Sequence, residues 1–157
     1  MKKIILILLV LLAVMAGCTS TKKAKEPEVS LQKQTENVLF EYTALTRGAY
    51  KKVIVSSYNI VTIKDRDNKD AVSRKLTADE WKTLYDAYKT IKDPGTLSSI
   101  EAPSVKHQYD GALVAMVTIT VDDVIYQTNT FDHGNPPAEV KPLVDAIIKF
   151  SGLNEPQ

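Results

Sequence analysis

The chain has 157 residues, with 20 Lys and Arg against 19 Asp and Glu, a formal net charge of +1, 44% hydrophobic residues and a single cysteine. Near-neutral charge supplies no general attraction for a polyanion, so no nucleic-acid partner is expected. Without a second cysteine there is no disulfide framework, and the folded part must rest on its apolar core.

Met1 to Gly17 has the layout of an export signal: Lys2 and Lys3, an apolar run from Ile4 to Met15, then the small residues Ala16 and Gly17. The run of 12 residues would span about 18 Å as a helix, short of the roughly 30 Å hydrocarbon core of a bilayer. Plain secretion would leave Cys18 as a free thiol in a compartment that favours disulfides. The stretch Val14-Met15-Ala16-Gly17-Cys18 instead resembles the lipobox of bacterial lipoproteins, with Met15 where that family usually has leucine. The resemblance implies a diacylglyceryl group on the Cys18 sulfur, loss of residues 1–17, and acylation of the new amino terminus. Each buried methylene adds about 0.8 kcal/mol, and two or more chains anchor a protein stably.

Thr19 is not the aspartate that retains enterobacterial lipoproteins in the inner membrane, and the residues after it are not an acidic surface-export tag. The resemblance therefore implies an outer-membrane lipoprotein with its domain facing the periplasm, the inner membrane being the alternative. Removal of Lys2 and Lys3 leaves 18 basic against 19 acidic residues.

Residues 18–37 form the lipidated cysteine and a polar tether with one proline and no sustained apolar period. As a flexible chain, the 19 residues from Thr19 to Asn37 would reach on the order of 25 Å. The single domain is expected over 38–152, followed by a short tail at 153–157.

Within the domain Phe40, Tyr42 and Ala44 share one face of a strand, Arg47-Gly48 turns the chain, and Val53 and Val55 continue the pattern. A third strand follows at 60–63, closed by the turn-forming KDRDNKD, and the charged piece 71–75 can serve as an edge strand. Thr77 and Glu80 make a T-x-x-E capping box, with Leu76 and Trp81 placed as a hydrophobic staple. Trp81, Leu84, Tyr85, Tyr88 and Ile91 recur at helical spacing as a core stripe, which Asp93-Pro94-Gly95 ends.

Leu113 to Val121 alternates as a strand, Asp122-Asp123 turns, and Val124 to Phe131 returns. A last helix is expected over 138–150, carrying Val140, Leu143, Val144 and Ile147 on one face, with Pro142 near its first turn and Gly152 past its end. The fold class is α+β: an antiparallel sheet from successive hairpins with two packed helices, in the order β-β-β-α-β-β-α.

No zinc-protease, phosphate-loop, dinucleotide or nucleophile-elbow pattern is present. The loop DRDNKD is not an EF-hand: Lys69 cannot ligate, Asp70 replaces the turn glycine, and Leu76 stands where the bidentate glutamate belongs. The remaining candidates are His107, Asp110, Asp132 and His133. Pairing about Asp122-Asp123 makes partner positions sum to about 245, which brings residue 112 near 133 and gathers the four in one neighbourhood. Histidine with carboxylate can bind a metal or run acid/base chemistry. A structural reading competes: Asp110-Gly111 starts the strand, Asp132 or Asn135 caps the last helix, His133 packs, and Gly134 supplies a positive φ.

From about Phe40 to Ile148 the pieces EYTALTRGAYK, APS, YDGA and FDHGNPPAEV resemble a family of small envelope lipoproteins, a likeness that carries no activity with it. The order of a glycine-containing first hairpin, a helix, a second hairpin and a terminal PAEVKPLV helix is also similar to emfourin, an inhibitor of thermolysin-like metalloproteases; no inhibitory residue carries over. The expectation is a lipid-anchored, non-catalytic binding protein with an envelope protein partner and no cofactor. The alternatives are a small-ligand or metal-binding protein or enzyme using the four-residue cluster, and a protease inhibitor.

Overall fold

The computed structural model describes residues 36–153. The export signal, Cys18, most of the tether and residues 154–157 lie outside them. The described chain is an antiparallel sheet of seven strands with two helices, an α+β fold as the periodicities predict.

Strand β1 (Val38–Leu45) is central, and its strict alternation buries Val38, Phe40, Tyr42 and Ala44. On one side it pairs with β2 (Tyr50–Val55), on the other with β5 (Val114–Val121). Phe40 therefore lies between Val55 and Ile119, and Tyr42 between Val53 and Val117. Cross-strand neighbours share a face, so three separate runs of alternating residues merge into one apolar surface. Beyond β2 come β3 (Asn59–Ile63) and the edge strand β4 (Val72–Lys75), and beyond β5 comes β6 (Val124–Gln127), giving the order β4-β3-β2-β1-β5-β6.

Helix α1 (Ala78–Lys89) covers this surface. Its start is encoded locally: the Thr77 side chain accepts from the Glu80 amide, and the Glu80 carboxylate accepts from the Thr77 amide. The Trp81 ring stacks on Phe40 with centroids 5.8 Å apart, and Tyr88 tilts against Phe40 at 5.6 Å. The aromatic stripe is core packing. Arg74 holds the exposed edge strand to both helices, donating to both Glu80 carboxylate oxygens and, at 2.7 Å, to the Phe150 carbonyl. That pairing first, and the Thr77 amide with it, holds the Glu80 carboxyl down at about 2 despite desolvation.

Helix α2 (Lys141–Ser151) buries Leu143, Val144, Ala146 and Ile147 and ends at Gly152 in the left-handed region, φ 67°. It starts three residues later than the predicted 138. Pro142 thus falls in its first turn, where an intrahelical amide is not needed.

One feature is added to the expected order and one is corrected. Between α1 and β5, Pro94–Ser99 and Lys106–Tyr109 are short 3-10 turns, and Leu97 of the first is fully buried. The predicted return strand 124–131 is split into β6 (Val124–Gln127) and β7 (Phe131–Asp132). The turn before it is as expected, with Asp122 and Asp123 both at positive φ, 46° and 69°, the signature of a type I′ hairpin.

Candidate functional site

The split in the return strand is a β-bulge, and it decides where the candidate residues point. Thr118 pairs with Gln127 and Val121 with Val124, so partners sum to 245, but Ala115 pairs with Phe131 and Val114 with Asp132, summing to 246. Asn129 and Thr130 together face Met116, between the Thr128 amide on the Val117 carbonyl and the Phe131 pair. One extra residue exchanges the faces of everything after it. Had the 245 register continued to the end of the strand, Asp132 would lie opposite Leu113 and point into the core. With the extra residue Phe131 is fully buried there, and Asp132 leaves the strand on the opposite side.

Asp132 is nonetheless only 2% exposed, because the segment around the second 3-10 turn folds over it. Its carboxylate accepts from the Ser104 hydroxyl, from the backbone amides of Lys106 at 2.9 Å and His107 at 2.7 Å, and from His107 Nδ1 at 2.6 Å. Asn135 Nδ2 donates to Ser104 Oγ at 2.7 Å, closing the network. Desolvation pushes the carboxyl up, but the Ser104 hydroxyl, the His107 amide and ring and the Lys106 amide outweigh it and leave it well below the usual carboxylate range. The other ring nitrogen, His107 Nε2, lies 3.4 Å from Thr130 Oγ1.

Carboxylate, imidazole and hydroxyl in that order is the arrangement that activates a nucleophile. Here the hydroxyl contact is long, the imidazole side chain is 8% exposed, and all four donors to Asp132 come from the short stretch 104–107. In this geometry the carboxylate works as a clamp on that stretch.

The four residues gathered by sequence thus separate. His107 and Asp132 meet. Asp110 closes the second 3-10 turn in the left-handed region at φ 60° and is exposed, so the strand starts at Val114 and not at Asp110-Gly111. His133 turns the other way: its Nδ1 is 2.6 Å from Tyr42 Oη and its Nε2 is 3.2 Å from Lys51 Nζ. A lysine ammonium can only donate, so Nε2 accepts from Lys51 and Nδ1–H donates to the Tyr42 oxygen. Burial first, and the Lys51 charge second, lower the His133 pKa, while burial raises that of Tyr42. The register placed 133 beside Leu113, one position from the expectation, and the His133 amide donates to the Leu113 carbonyl. Adjacent residues on a strand face opposite ways, however, so Asp132 and His133 cannot share a ligand. Among the described residues no group of three or more His, Cys, Asp or Glu stands close enough to hold a metal ion.

Neither Asp132 nor Asn135 caps α2, whose N-cap is Val140 with no side-chain bond. Gly134 does take a positive φ, 87°. Sequence reasoning missed Ser104, Asn135 and Thr130 around Asp132 and Tyr42 and Lys51 around His133. Asn135 carries only the mark of a candidate helix cap, Tyr42 only its place in an apolar period, and nothing local marks Ser104. No protein-family model, no curated protein and no solved structure matches the chain.

Proposed function

We propose that this is a lipid-anchored envelope protein, held through Cys18, whose domain binds another protein and performs no chemistry of its own. The observation that supports binding is the use to which the buried carboxylate is put. Asp132 spends its hydrogen-bonding capacity on holding one irregular segment still, instead of presenting it to a substrate. Loops held on a rigid scaffold are where recognition residues concentrate, and order present before binding reduces the entropy lost on association. The lipid anchor is supported by the Val14–Cys18 sequence.

Affinity capture from crosslinked envelopes, with the full-length protein as bait and Cys18→Ser as control, tests both halves. The expected result is a partner enriched specifically by the anchored bait, and an intact mass showing residues 1–17 removed and Cys18 acylated. An unmodified Cys18 in the mature protein would remove the anchor. No enrichment by either form would remove the binding role.

A further inference from the structure

We propose that the free edge of β6 is a self-association surface, on which two copies of this chain pair β6 with β6 antiparallel about Tyr126 and continue one sheet across both. The proposal rests on the lipid anchor given above and not on the other protein partner.

The sheet has two edges, and only one of them is closed. At β4 the Leu76 amide donates to the Tyr58 carbonyl, so the alternation of bonded and non-bonded pairs turns the backbone groups of Ser73 and Lys75 outward. There the Lys75 carbonyl accepts from the Arg74 guanidinium at 3.1 Å, and the two basic side chains guard the edge against pairing. At β6 the Thr128 amide donates to the Val117 carbonyl, so the same alternation bonds Tyr126 and Val124 to β5 and turns the N–H and C=O of Ile125 and Gln127 outward. Among the described residues no other backbone or side-chain group bonds them. The strand Val124–Gln127 carries no charge and no proline, and the bulge begins only beyond Thr128. Val124 is 52% and Ile125 68% exposed.

Register selects a second copy as the occupant. A two-fold axis at Tyr126 places Ile125 opposite Gln127 of the other copy, and Gln127 opposite its Ile125. Each of these pairs exchanges two backbone bonds, so every outward group of both residues is satisfied at once. Asp122 and Asp123 at the hairpin tip fall opposite Thr130 and Asn129, a hydroxyl and an amide that can donate to them, so no like charges meet along the seam. Because the β4 edge is closed, the assembly stops at a two-fold dimer and does not grow into a filament. A strand of four residues buries far less than the roughly 800 Å² a side of a stable interface. Confinement of the anchored copies to one membrane supplies the effective concentration that the small seam needs.

The test places single cysteines in the full-length lipidated protein, oxidises intact envelopes and reads the dimer on non-reducing gels, with wild type, whose Cys18 carries the lipid, as the blank. About the axis the two copies of residue 126 have Cα atoms about 4.5 Å apart, within disulfide reach, whereas two copies of 125, or of 127, lie about 8 Å apart. The expected result is a dimer for Tyr126→Cys at least about tenfold stronger than for Ile125→Cys or Gln127→Cys alone. Co-expressing Ile125→Cys with Gln127→Cys should restore it, and these two exposed positions give the reading even if Tyr126→Cys fails to fold. Adding Ile125→Pro, which removes only an unbonded edge amide, should abolish the dimer and leave the urea midpoint unchanged. Equal crosslinking at all three positions, no crosslinking at any, or a dimer that survives Ile125→Pro would overturn the pairing. A crosslink from residue 126 to a different protein would give the edge to that protein's strand and overturn the second copy. Intact mass on the same samples separates the two readings: a dimer with Cys18 unmodified keeps the pairing and removes the anchor, and acylated Cys18 without a dimer removes the pairing alone.

Discussion

Deleting Asn129 and Thr130 together removes the bulge and one ladder residue besides, so the return strand cannot keep both the Thr128 and the Phe131 register. With Thr128 still opposite Val117, Phe131 would fall opposite Met116 and Asp132 opposite Ala115. Phe131, fully buried against Tyr42 with ring centroids 6.5 Å apart, would turn to the outer face. Losing a buried phenylalanine costs about 3–5 kcal/mol. Asp132 would enter the core without Ser104 or His107, which adds to that loss. Domains of this size have about 5–15 kcal/mol in total, so the double deletion should leave the protein unfolded or close to it. Deleting Asn129 alone should be far milder, because Thr130 then faces Met116 while Phe131 stays opposite Ala115 and Asp132 opposite Val114. Equilibrium urea unfolding followed by Trp81 fluorescence compares the two. A cooperative transition within about 1 kcal/mol of wild type for the double deletion would refute the argument that the count between Thr128 and Phe131 sets the faces.

Phe40→Ala should cost about 3–5 kcal/mol in the same urea assay and alter native Trp81 emission, because the two rings stack; unchanged emission would mean that they do not. The Glu80 carboxyl is lowered to about 2, so its contribution is complete above its ordinary 4.5 and is lost as pH falls towards 2. Glu80→Gln should therefore lower Tm near neutrality and flatten its acid limb, and an acid limb equal to wild type would contradict this. His133 is also lowered, so the folded state disfavours its protonated form, and that contribution is present above about 6.5 and lost as pH falls below it. Its ring resonances followed by NMR should titrate below the ordinary range, and Lys51→Met should raise that midpoint; no movement would exclude Lys51 as a cause.

What the sequence determined by itself was everything whose information lies within a few residues. Thr77 and Glu80 are three apart and fold into the capping box, Asp122-Asp123 turns the hairpin, and the alternation from Phe40 to Ala44 marks the buried face. Register propagates outward from that hairpin turn, which is why residue 133 could be placed to within one position.

Only the tertiary structure decided the rest. Nothing local says that Asn129 and Thr130 double up against Met116, yet that single residue exchanges the faces of Phe131, Asp132 and His133. Nor does anything local say that Asp132 is enclosed by Ser104 and His107, 28 and 25 residues earlier in the chain. The proximity of His107 to Asp132 was legible, because position along a hairpin is set by counting. Which way each side chain leaves the strand was not: the side-chain period is two, so a count that is one residue out reverses the direction of every side chain beyond it.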